Sequence, residues 1–206
     1  MKAADLDAVT LDAHGTLVTL ADPVAALTSA LSERGVDRTP EAVLAGFQAE
    51  VAHYAPRASE GYDEGSLARL QRECVGVFLE AVGAGLATDE FVPAYIGALH
   101  FDVLPGVVES LDRLRALGLE LAVVANWDLS LHRLLDQAGL ARYFKVVVHA
   151  ARKPAPDGLL RALGLLQVDP GRALHIGDGD ADRDSADAAG MRFAPAPVPT
   201  AIAAIR

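Results

Sequence analysis

"LELAVVANWDLSLHRLLDQAGLARYFKVVVHA", Leu119 to Ala150, holds two short apolar, β-branched runs, LELAVVAN (Leu119 to Asn126) and FKVVVHA (Phe144 to Ala150). Between them apolar residues recur at three- and four-residue spacing, and Gly139 stands where a helix would end. The pattern then repeats: DGLLRALGLLQVDPGR reads as a helix that stops at Pro170-Gly171, and RALHIGD (Arg172 to Asp178) reads as the next strand. Strand, helix, strand, helix, strand is the signature of a parallel sheet with helices on both faces.

Working outward, DAVTLD near residue 10 supplies an earlier strand and MRFAP from Met191 a less marked later one. In such α/β sheets the ligand site lies at the carboxyl ends of the strands. Asp12, Asn126, Lys153 and Asp178 each fall just after a predicted strand, so the fold is expected to gather them at one edge.

From about Thr19 to His100 no strand is evident. DPVAALTSALSERGV, PEAVLAGFQAEVAHYA, GSLARLQRECVGVFLEAVGAG and TDEFVPAYIGALHF all read as amphipathic helices, so this stretch is expected to be a helical insertion. LPGVVESLDRLRALG returns the chain to the sheet through one more helix. The expected division is 1–18 with 100–206 as the sheet domain and 19–99 as the inserted helical one. The Pro-rich tail APAPVPT reads as irregular.

The formal charge of -10, from 18 Lys and Arg against 28 Asp and Glu, argues against a nucleic-acid backbone as partner. A small anion would need a local cation or a metal, because the global field opposes it. A single cysteine, Cys74, precludes an intramolecular disulfide and suits a reducing compartment. The N-terminus lacks the apolar stretch of a signal peptide, and no apolar run approaches the ~20 residues of a membrane span, so a cytoplasmic location without membrane association is expected. The oligomeric state is left open, a homodimer included.

The order D-x-H-G-T-L at Asp12, AN at Asn126, KP at Lys153 and GDGDAD at Asp178, each at a strand end, resembles the haloacid dehalogenase-like hydrolase superfamily, in its phosphatase-like branch with a type I helical cap. The resemblance implies a Rossmann-like parallel α/β core, with the helical insertion as the cap. It implies that Asp12 is the nucleophile that forms an aspartyl-phosphate, and that Mg²⁺ is held by Asp12, Asp178, Asp182 and the backbone carbonyl of His14. It further implies that Lys153 neutralises the nucleophile and the phosphate, and that Thr16, Asn126 and Trp127 contact the phosphate. The substrate implied is a small phosphorylated metabolite, hydrolysed as a phosphate monoester. Within the insertion, His53, Tyr54, Arg57, Tyr62, Arg69 and Arg72 are the candidates for touching it.

Two positions depart from the family pattern. The second motif commonly carries Ser or Thr where this chain has Ala125, and phosphatases carry a second aspartate where this chain has His14. An imidazole can give up and take a proton near neutral pH, so His14 is a candidate for the acid/base role. These departures leave two other readings open: a protein that keeps the fold for binding or regulation, and a haloacid dehalogenase, whose DAYGTL frame is close to DAHGTL here. His175, within ALHIGD, reads as a packing residue.

Overall fold

Ala8–Leu11 forms strand β1, whose four residues are all buried. That suits a strand covered on both faces, where a continuous apolar run replaces strict alternation. The structure, a computed structural model, describes residues 5–203 and 205.

The remaining strands of the main sheet are β4 (Glu120–Val124), β5 (Val146–Val148), β6 (Ala173–Gly177) and β7 (Arg192–Pro195), in the order β5-β4-β1-β6-β7. All neighbours run parallel. Leu11 lies opposite Val123 on one side and Ile176 on the other, so the residues just past β1, β4 and β6 emerge together at one edge. β1 is the strand at which the order reverses, the topological switch point where open α/β sheets place their ligands.

Helices α5 (Val107–Ala116), α6 (Leu131–Gln137), α7 (Asp157–Leu166) and α8 (Asp180–Ala188) belong to this sheet unit. Ala8, Ala122, Val124 and Ala173 pack against Leu159, Ala162, Leu163 and Leu166 of α7 and Ala186 of α8. α7 ends earlier than Pro170-Gly171, at Leu166, because Gln167 adopts the left-handed conformation (φ +61°) that glycine more often supplies. The tail is not irregular throughout. Val198–Ala203 forms helix α9, with Pro199 tolerated in its first turn and Val198 and Ile202 buried one turn apart.

The chain divides into two units, residues 1–19 with 102–206, and Leu20–Phe101. The chain passes between them along β2 (Val18–Leu20) and β3 (Phe101–Val103), a separate two-stranded ribbon too short to show in the sequence pattern. The second unit contains α1 (Val24–Ser32), α2 (Pro40–Tyr54), α3 (Glu64–Ala81) and α4 (Thr88–Ala98). Its core is Leu27, Leu31, Val43, Val75, Phe78 and Phe91 with Tyr95. The start of α3 is fixed by a reciprocal Asp63–Ser66 capping box, and α2 meets α3 closely at Gly46, where a Cβ would lie 2.4 Å from Val82 Cγ1. No helix among the described residues is long and apolar enough to cross a membrane.

Candidate active site

Asp12 is the first residue beyond β1. Its amide still donates to the Ile176 carbonyl at 2.9 Å, so the backbone is tied to β6 where the side chain leaves the sheet edge. The chain then turns sharply, with Leu17 N donating to Ala13 O and Gly15 N to Val18 O, both at 2.8 Å. Gly15 is required twice over: its φ is +75°, and a Cβ there would lie 2.1 Å from Asp178 Oδ2. Gly177 plays the matching part at the end of β6, since a Cβ on it would stand 2.3 Å from the Asp182 carboxyl carbon.

Those two absent side chains let three carboxylates converge. One oxygen each from Asp12, Asp178 and Asp182 lie within 4.8 Å of one another, Asp12 and Asp182 buried and Asp178 exposed. Asp182 is the third residue of α8, and its Oδ2 accepts from the Gly179 amide at 3.1 Å, an arrangement that caps the helix and fixes the side chain together. Asp180 and Asp184 instead face Arg183 at the exposed surface of α8. Hard oxygen donors at this density are a donor set for a divalent cation.

Lys153 supplies the cation that the chain itself provides. Its buried Nζ donates to both Asp12 Oδ1 and Asp182 Oδ1. Only four residues separate it from β5, and the backbone covers that span with Ala150 and Arg152 both left-handed (φ +52° and +59°). Such conformations cost a non-glycine residue about 1–2 kcal/mol each. Asn126 holds the end of this loop: its Oδ1 accepts from Lys153 N at 2.7 Å and its Nδ2 donates to Lys153 O at 2.9 Å. The Asn126 side chain therefore grips Lys153, leaving one amide hydrogen and its backbone N–H for any ligand.

Burial pushes the Asp12 carboxyl above its ordinary range, against the pull of Lys153 and with the push of the Asp182 charge. Burial acts on Asp182 in the same sense, yet its hydrogen bond from His175 and the Lys153 ammonium together hold it well below the usual carboxylate range. One lysine thus serves two acids whose environments differ.

The other expected residues fall as follows. Thr16 is buried, and its hydroxyl has no hydrogen-bond partner. The Trp127 indole donates to Ser130 Oγ at 3.2 Å and its carbonyl accepts from Ala150 N at 2.7 Å, so it braces the Lys153 loop. The His14 ring is exposed. The structure adds Thr10, which sequence reasoning passed over, and gives His175, read from the sequence as a packing residue, a hydrogen bond to Asp182 from beneath. The available signal was a histidine in an otherwise apolar strand with a threonine at the same position of β1.

Residues 6–190 match the model of the haloacid dehalogenase-like hydrolase family. A phosphoglycolate phosphatase of Pseudomonas savastanoi pv. phaseolicola is 31% identical over 89% of this chain and 66% of its own length. Haloacid dehalogenase-like hydrolase domain-containing protein 3 of Xenopus laevis is 41% identical over 39% of this chain and 35% of its own length. The chain thus spans from about a third to about two thirds of the length of these curated relatives. Among solved structures, L-2-haloacid dehalogenase of Xanthobacter autotrophicus superposes with a TM-score of 0.67 at 24% identity, over 92% of this chain and 77% of that one, a likeness of fold.

Proposed function

The chain belongs to the haloacid dehalogenase-like hydrolase family, and we propose that it is a Mg²⁺-dependent hydrolase of small phosphate monoesters acting through Asp12. The observation that carries this reading is the convergence of the Asp12, Asp178 and Asp182 oxygens beside the Lys153 ammonium, which among the described residues is the lysine paired with them. Three carboxylates against one lysine leave excess negative charge, which a further cation must balance before an anionic phosphate can approach. Mg²⁺ would be held by these three side chains and the His14 carbonyl, and would supply charge neutralisation and polarisation of a phosphoryl oxygen.

In this mechanism an Asp12 carboxylate oxygen attacks phosphorus, the ester P–O bond breaks, and the leaving alcohol takes up a proton. Water then attacks the same phosphorus, the P–O bond to Asp12 breaks, and inorganic phosphate departs with Asp12 restored. Lys153 stays against Asp12 and screens its charge from the phosphate. The Thr16 hydroxyl and the backbone N–H groups of Asn126 and Trp127 hold phosphate oxygens, the role Ala125 lacks a hydroxyl to fill. His14 gives the proton to the leaving oxygen and takes one from the attacking water.

The helical unit, Leu20–Phe101, is assigned the role of the cap that selects the alcohol portion of the substrate. The relatives make phosphoglycolate and other small phosphorylated acids the first compounds to try. We place the protein in the cytoplasm, acting on a free metabolite, with no role for nucleic acid or membrane.

The test is phosphate release from a panel of monoesters, with Mg²⁺ and with chelator, by the native protein and by Asp12→Asn. Turnover that needs Mg²⁺ and is lost in D12N supports the reading. No turnover on any ester, or turnover unchanged in D12N, overturns it.

A further inference from the structure

We propose that His175, braced by Thr10, is a positioning residue that fixes the Asp182 carboxylate for cation binding. The proposal rests on the Mg²⁺ reading above and deepens it.

Thr10 and His175 lie directly opposite each other in the β1–β6 register. Each is two residues along from an alanine, Ala8 or Ala173, whose side chain packs in the apolar layer beneath α7 and α8, so alternation puts both polar side chains on that same face. Both are fully buried. Polar groups in such a layer are costly unless each finds a partner, and here they satisfy one another in a line that ends on the candidate metal site.

With a neutral His175 ring the line has one consistent direction. Asp182 as a carboxylate can only accept, so His175 Nε2, 3.2 Å from Asp182 Oδ1, carries the hydrogen. In the neutral ring Nδ1 is then the acceptor, and the Thr10 hydroxyl, at 2.8 Å, donates to it. Thr10 thereby selects the tautomer that grips Asp182. Reversing the ring would set two lone pairs against each other at Asp182.

Acceptor accounting at Asp182 shows why this matters. Oδ1 takes hydrogen bonds from Lys153 and His175, and Oδ2 takes one from the Gly179 amide. Gly179 and His175 hold the two oxygens from the chain's own rigid elements, whereas Lys153 is shared with Asp12 and sits on a flexible stem. With His175 gone, only that shared lysine would hold Oδ1. Partners that orient metal ligands in this way commonly change metal affinity by about 10- to 100-fold when removed.

The experiment measures Mg²⁺ binding by calorimetry without substrate, in the native protein and in His175→Leu, His175→Gln and Thr10→Val. The expected result is a weakening of about 10- to 100-fold in H175L. H175Q, which keeps an N–H donor of similar reach, should recover most of it. T10V should weaken binding by about two- to tenfold, as the loss of one neutral hydrogen bond implies. H175L and T10V binding Mg²⁺ as tightly as the native protein overturns the proposal, and T10V decides it alone if H175L does not fold. Should the native protein bind no Mg²⁺, the metal reading fails by itself. The positioning role is then decided by a metal-free crystal structure of T10V or H175L: an Asp182 carboxylate turned away from Lys153 supports it, and one left in place overturns it.

Discussion

The Asn126 side chain holds the Lys153 backbone on both sides of its Cα, accepting from its N–H at 2.7 Å and donating to its C=O at 2.9 Å. Lys153 N and O are thereby placed by the end of β4, the strand beside β1, although Lys153 follows β5. Asn126→Ala removes both bonds, worth about 1 kcal/mol each. We expect activity to fall by one to two orders of magnitude while the protein stays folded, read as kcat/KM on a responsive ester beside a melting curve. Asn126→Asp should be worse than alanine in stability, because a carboxylate oxygen would face the Lys153 carbonyl.

Lys153→Met leaves Asp12 and Asp182 buried without their shared ammonium. Removing one partner of a buried ion pair costs about 3–5 kcal/mol, so a large drop in melting temperature is expected in the presence of chelator. Added Mg²⁺ should raise the melting temperature of K153M more than that of the native protein, since the ion would take over the missing charge compensation. Equal Mg²⁺ shifts in the two proteins would show that the carboxylates do not share a cation.

Gly15→Ala sets a Cβ 2.1 Å from Asp178 Oδ2 on a residue with φ +75°. Asp178 is exposed and can swing away, so the change should act more on cation affinity than on folding. A loss of Mg²⁺ binding of tenfold or more, with a fall in stability of about 1–2 kcal/mol from the backbone conformation, is the expected pair of results from calorimetry and denaturant titration.

Within the helical unit, Glu50 is buried beside Cys74 and Tyr95, whose hydroxyl lies close to the carboxyl without reaching hydrogen-bond geometry. Burial pushes the Glu50 carboxyl above its ordinary value of 4.5. The folded protein therefore keeps a proton that the unfolded chain releases, and unfolding becomes easier as pH rises from about 4.5 through the raised folded value. Glu50→Gln should melt higher than the native protein at pH 8, and the gap should shrink toward pH 4. A constant gap across that range would remove Glu50 as the cause.

Cys74 is buried in the same cluster, and burial pushes its thiol up to about 12. It should resist alkylation at pH 8 in the folded protein and react at the rate of a free thiol once denatured. Rapid modification of the native protein would contradict the packing of α3 against α2.

Much of this was legible in the chain. Short apolar runs alternating with helical periodicity specify a parallel sheet, because covered strands read as continuous hydrophobic segments and their crossovers need helices. The same pattern puts Asp12, Asn126, Lys153 and Asp178 after strands, and the structure brings Asp12, Lys153, Asp178 and Asp182 together at one edge. The β2–β3 ribbon was not visible, since three-residue strands have no periodicity to read. The helical tail was masked by its prolines, which a first turn accepts.

What the sequence determined by itself is the order of elements and the types of residue delivered to the carboxyl edge of the sheet, since both follow from local pattern. Only the tertiary structure decided how those residues divide the work. Asn126 grips a loop instead of standing free, Gly15 makes room for Asp178, and His175 faces Asp182 and not merely the core. The reason is that these relations join residues as far apart in the chain as Gly15 and Asp178, through strand register and side-chain geometry. Neither leaves a mark on local composition.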